Sequence, residues 1–152
     1  RTFKFIEKSF DSNVLQVNIS YDWRERVQQT YEKVGANIEQ GHMKQALEKI
    51  FELIREANRY FDEREPWKYV ETSAEHTKET LATCTYIIQN VGQLLHPFLP
   101  FASQEISKMI GHPLDNWEEI IQLPIQLADV KPLYERIDVK CIEVEKAKLY
   151  GQ

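Results

Sequence analysis

Apolar residues recur at steps of three and four along almost the whole chain, and strand-like alternation is nowhere sustained. That spacing builds helices with one buried face, and the breakers between the runs set their number. Phe3, Ile6 and Phe10 form a first stripe, and Val27, Tyr31, Val34 and Ile38 form a second that Gly41 should stop, with Ser20 or Asp22 to cap its start. Met43, Leu47, Ile50, Ile54, Ala57 and Phe61 carry the spacing on to a stop before Pro66. Ser73 can cap a fourth run through Leu81, Cys84, Ile88, Val91 and Leu95, which Pro97 breaks; Phe98, Ala102, Ile106 and Met109 mark a fifth, ending near Gly111. Short links favour antiparallel neighbours, so the fold expected is all-α: an up-and-down bundle of about five helices over residues 1–111.

From His112 to Asp138 the pattern fails. Pro113, Pro124 and Pro132 punctuate this stretch, with Trp117, Ile120, Ile121 and Leu123 as its apolar anchors. An irregular strap across the bundle is expected, with room for a short helix or strand. Val139 to Tyr150 reads as a final helix. Arg1 already lies inside a helical pattern without a cap before it, so further sequence upstream is expected. A length of 152 residues suits a single domain.

Composition excludes several classes. No apolar run approaches a membrane span and no signal-peptide pattern opens the chain. A charged fraction of 28% with a mean hydropathy of −0.52 points to a soluble, cytoplasmic chain. Cys84 and Cys141 stand alone and far apart, which suggests neither a zinc site nor a disulfide framework. Cys84, at a core-spaced position, is expected to be a buried thiol. Glu39-Gln40-Gly41-His42 has the Glu-x-x-His spacing of bundle metal sites, but Gly41 breaks the helix that spacing requires and no second pair exists; no metal is expected. His76 and His112 are expected at the surface, and His96 on a helix-end carbonyl. There is no Gly-rich phosphate loop and no Gly-x-Ser-x-Gly.

A net charge of −5 argues mildly against nucleic acid, since what matters is whether the cations cluster. Arg1, Lys4 and Lys8 share one face of the first helix; an ordinary solvated face is the plain reading. The richest stretch is Asn58-Arg59-Tyr60-Phe61-Asp62-Glu63-Arg64-Glu65-Pro66-Trp67. A helix halts at Pro66, and the tryptophan that follows has basic neighbours in Arg64 and Lys68. Such a ring is commonly a core plug beneath a loop. Turned outward, it stacks on a nucleobase while the cations meet phosphate. Asn58, among apolar positions, reads as a buried amide that positions the corner. Arg59 and Tyr60 face either RNA or the strap, and Asp62 would repel phosphate.

This run resembles the helix end that carries the anticodon-stacking tryptophan of methionyl-tRNA synthetases. His96-Pro97-Phe98-Leu99-Pro100-Phe101 is similar to an element shared by the class I synthetases for Met, Ile, Leu and Val. Lys131-Pro132-Leu133-Tyr134-Glu135-Arg136-Ile137-Asp138 resembles the methionyl enzymes' own C-terminal signature. The resemblance implies an anticodon-binding domain without its catalytic nucleotide fold, whose His-x-Gly-His and Lys-Met-Ser-Lys-Ser motifs are absent here. It places Trp67 at the stacking position, with Pro66 fixing the break, and Arg1 at an arginine that helps to read the anticodon's first base. The family's asparagine four residues earlier falls before Arg1. Lys4, Lys8, Arg64 and Lys68 would add sequence-independent attraction. The implied partners are the anticodon loop of a methionine tRNA and the catalytic domain of the same longer chain, not membrane or DNA. ATP and magnesium would serve that catalytic domain, with no cofactor in this part. An isoleucyl, leucyl or valyl enzyme, or a bundle that only docks protein, are the alternatives.

Overall fold

The computed structural model describes residues 1–14, 16–134 and 138–150. Among them the chain forms seven helical segments: α1 (Thr2–Phe10), α2 (Tyr21–Glu39), α3 (Met43–Arg64), α4 (Pro66–Tyr69), α5 (Ala74–Leu95), α6 (Pro100–Ile110) and α7 (Val139–Tyr150). The breakers act where they were expected. Gly41 takes a left-handed φ of 75° beyond α2, its amide bonding to the Ile38 carbonyl and that of His42 to Asn37. Only glycine adopts that backbone without strain. The reversal lays α3 antiparallel along α2, with Arg26 paired to Glu56 at 2.8 Å. Pro100 opens α6 at its first turn and Gly111 closes it. Pro66, expected only to stop a helix, also starts one, and α4 is the element the periodicity did not reveal. Ser20 and Ser73 stand at the N-caps of α2 and α5, yet neither side chain makes the expected capping bond.

α5 is the axis of the molecule. Residues Thr80 to Leu95 are all buried except half-buried Ile88, because α1, α2, α3, α4 and α6 all pack on this helix. One close approach depends on Gly92: a Cβ there would stand 2.7 Å from Leu114 Cδ1 and 3.0 Å from Ile106 Cγ2. No helix among the described residues is long and apolar enough to cross a membrane.

The strap is held by polar bonds as much as by apolar ones. Irregular backbone has no partners of its own, so burying it requires donors and acceptors from elsewhere. α5 supplies them. Gln89 Nε2 donates to the Ile120 carbonyl at 2.7 Å, and Asn90 both donates to that carbonyl at 3.0 Å and accepts from the Ile120 amide at 2.8 Å. Gln93 donates to Glu118 O and to the Tyr31 hydroxyl. Glu119 in turn accepts from the Tyr86 hydroxyl and Gln28, each at 2.6 Å, and pairs with Arg24 at 3.3 Å. Burial and this carboxylate push the Tyr86 phenol upward.

The apolar anchors only partly match those expected. Leu123 is buried, half-buried Ile120 packs on the core, and Trp117, though partly exposed, meets Tyr31 edge-on at 5.6 Å; Ile121 is exposed, and Leu114, Leu127 and Val130 are buried in addition. Periodicity carries no such information in a segment without a period. An isolated antiparallel bridge, Asn13 to Gln126, fastens the strap to the stretch after α1.

Candidate nucleic-acid interface

The corner between α3 and α4 is a tight joint. Glu65, its single linking residue, adopts φ 42°, ψ 52°, a left-handed backbone sparsely used by residues other than glycine. Pro66 then occupies the first turn of α4, where its missing N–H costs nothing. Trp67 follows, with 46% of its surface exposed. It is therefore no core plug. Its inner face rests on buried Phe61, ring centroids 5.7 Å apart and tilted by 43°.

Arg1 packs on the same phenyl ring. Its guanidinium carbon is 4.4 Å from the Phe61 centroid, and Nη2 is 2.7 Å from Asp62 Oδ1. Phe61 thus meets both a tryptophan and an arginine, although Arg1 and α3 are distant in sequence. Asn58 is exposed, contrary to the expected buried amide, because its turn of α3 faces outward over a cavity of about 540 Å³. Arg1, Lys4 and Phe61 line the same cavity.

The remaining cations are distributed unevenly. Lys4 pairs with Glu7 at 2.5 Å, and Lys68 pairs with Glu65 at 2.7 Å, a hydrogen bond that holds its ammonium above the ordinary lysine range. Lys8 is exposed at the end of α1 and forms no ion pair among the described residues. Arg64 departs from expectation: its guanidinium turns to α5, meeting Glu79 at 2.8 Å and Thr80 Oγ1 at 3.2 Å. The exposed pairs of Lys4 and Lys68 are worth only about 0–1 kcal/mol each.

Several neighbours find other roles than those read from sequence. Tyr60 is half-buried and packs edge-on to Trp23 at 5.1 Å, and burial raises its phenol. His76 is half-buried, its Nε2 2.7 Å from the Arg64 carbonyl. His96 bonds the Ser103 hydroxyl at 3.3 Å, not a helix-end carbonyl. Lys131 pairs with Glu105, while Glu135, Arg136 and Ile137 of the same motif lie outside the described residues. Phe61 escaped the sequence reading as a platform. Its stripe marked it as core, and nothing in spacing says what rests on a core ring's outer edge.

Fold and surface together define an all-α domain with an exposed aromatic beside a basic group. Residues 23–148 match the family described as the anticodon-binding domain of tRNA ligase. The chain belongs to that family. It is 47% identical over 151 residues to a methionine–tRNA ligase of Bacillus cereus (strain G9842), covering 99% of this chain and 28% of that protein. A methionine–tRNA ligase of Streptococcus pneumoniae (strain CGSP14) is 46% identical over 153 residues, covering 98% and 27%. The chain thus spans a little over a quarter of the length of these curated relatives. Among solved structures, Mycobacterium tuberculosis methionyl-tRNA synthetase bound by methionyl-adenylate superposes with a TM-score of 0.75 at 19% identity, over 89% of this chain and 29% of that one. That likeness bears on the fold.

Proposed function

We propose that this domain recognises the anticodon loop of a methionine tRNA within a cytoplasmic methionine–tRNA ligase. The observation that carries the reading is that the exposed Trp67 ring and Arg1 both pack on Phe61. RNA sequence is read chiefly on unstacked loop bases, because A-form grooves hide base edges. A half-exposed indole on a rigid joint offers such a base a face to stack on, and the arginine fork offers donors to its edge. The amide of Asn58 lies on the same surface. Pro66 fixes the joint, and Lys4, Lys8 and Lys68 attract the loop's phosphates regardless of sequence. Arg64 serves chiefly by holding α3 to α5.

Joining methionine to the tRNA, with ATP and magnesium, falls to the part of the parent protein outside this chain, which has neither a Gly-rich phosphate loop nor the class I catalytic motifs. Identity to methionine–tRNA ligases over nearly the whole chain favours methionine over isoleucine, leucine or valine. The exposure of Trp67 favours RNA over a docking module with a plugged core. The test is a titration of the protein with a methionine anticodon stem-loop beside one with a changed anticodon. The matched loop should bind at least tenfold more tightly; equal affinities overturn the reading.

A further inference from the structure

The first turns of α5 grip the corner that presents Trp67. His76 Nε2 lies 2.7 Å from the carbonyl of Arg64, the last residue of α3. A carbonyl oxygen only accepts, so Nε2 carries the hydrogen. The imidazole is steadied by the Tyr69 ring of α4, with centroids 4.4 Å apart. One residue on, the Thr77 hydroxyl donates to the Pro66 carbonyl at 3.3 Å. Glu79 and Thr80 hold the Arg64 side chain.

These bonds meet a specific need. The last carbonyls of a helix lack partners within it, and the left-handed Glu65 ends α3 abruptly. Pro66 has a fixed φ, so the direction in which α4 leaves is set by the Arg64 carbonyl and by the two dihedrals of Glu65. Without a donor, that carbonyl turns toward water and Glu65 is free to relax to a right-handed or extended backbone. Either change swings Trp67 away from Phe61 and Arg1.

We infer that His76 is a positioning residue for anticodon recognition: its hydrogen bond to Arg64 fixes the α3–α4 joint and so holds the Trp67 ring where an anticodon base can stack. This rests on the stacking role proposed for Trp67.

A double-mutant cycle in the full-length protein tests it, with a methionine anticodon stem-loop as the probe. His76→Leu removes the donor at similar bulk, His76→Gln restores an Nε2–H, and Trp67→Ala removes the stacking face. His76→Leu should weaken binding severalfold, approaching the roughly tenfold loss expected of Trp67→Ala, and His76→Gln should recover most of it. In the Trp67→Ala background His76→Leu should change nothing further. Methionine-dependent pyrophosphate exchange, which needs no tRNA, should be equal in all variants and reports the catalytic part, while an unchanged helical circular-dichroism signal and melting transition of this domain show that each variant is folded. If Trp67→Ala weakens binding but His76→Leu does not, or if the two losses multiply in the double variant, His76 does not act through Trp67. If Trp67→Ala binds as the parent does, the stacking role falls and the inference falls with it.

Discussion

The guanidinium of Arg1 and the carboxylate of Asp62 meet at 2.7 Å above the Phe61 ring, joining the start of α1 to the last turn of α3. The carboxylate has two effects. It aims the arginine fork, and it sets a negative charge at the edge of the surface that RNA would approach. Asp62→Asn keeps the shape and removes the charge. Both matched and altered anticodon stem-loops should bind more tightly, with the altered one gaining more because Arg1 is no longer aimed. Both partners are more than half exposed, so the melting temperature should hardly move. Equilibrium binding of the two RNAs checks the sign, and a wider gap between them contradicts it.

Trp67→Ala should cost about tenfold in affinity for the matched stem-loop, since base–aromatic stacking is worth roughly 1–3 kcal/mol. The ring is half exposed, so the loss of stability should fall well short of the ~3–5 kcal/mol that a buried aromatic costs on truncation. Thermal unfolding beside binding separates the two effects.

Arg1, at the N-cap of α1, and Lys8, near the end of that helix, should differ in kind. Arg1→Gln should narrow the discrimination between matched and altered anticodons. Lys8→Gln should weaken both RNAs alike and lower the slope of log affinity against log salt by about 0.7, the single-strand value per phosphate contact. A salt series with both stem-loops distinguishes them; an equal loss for both RNAs on Arg1→Gln would make that arginine a phosphate contact.

Tyr86→Phe removes the hydroxyl that donates to Glu119 at 2.6 Å. Glu119 keeps Arg24 and Gln28, so the cost should be near the lower end of about 1–3 kcal/mol for an interrupted buried hydrogen bond. Denaturant unfolding should show a lower midpoint with an unchanged slope, the signature of lost stability without a change in compactness.

Burial pushes the Cys84 thiol up to about 12, whereas Cys141 is exposed. A thiol whose folded pKa lies above its unfolded value favours the protonated state of the folded chain. Its contribution is therefore complete below the unfolded pKa of about 8.5 and is lost as pH rises toward about 12. At pH 8 a small alkylating agent should modify one cysteine in the folded chain and both after denaturation, as mass spectrometry would count. Prompt modification of Cys84 without denaturant would contradict this burial.

Much of the fold was legible because helices advertise themselves locally. A repeating apolar face and a residue that cannot continue the helix are both short-range facts, and so α2, α3, α5 and α6 fall where Gly41, Pro66, Pro97 and Gly111 require. α4 was not legible: four residues are too few to show a period, and Pro66 reads equally as an end or a beginning. The strap was not legible either. Its backbone is satisfied by Gln89, Asn90 and Gln93, whose positions on α5 look like any polar residue on a helix.

For the candidate site the division runs through single residues. The sequence alone determined that a tryptophan follows a helix-stopping proline, and that arginine and lysine share a face of α1. It could not determine that Trp67 and Arg1 both pack on one phenyl ring, that Arg64 turns inward to Glu79, or that His76 bonds the Arg64 carbonyl. His76 and Arg64 are 12 positions apart, Arg64 and Glu79 15, and Arg1 meets Phe61 from the start of another helix. Periodicity records only which way a side chain points from its own helix; packing around α5 decides what it meets there.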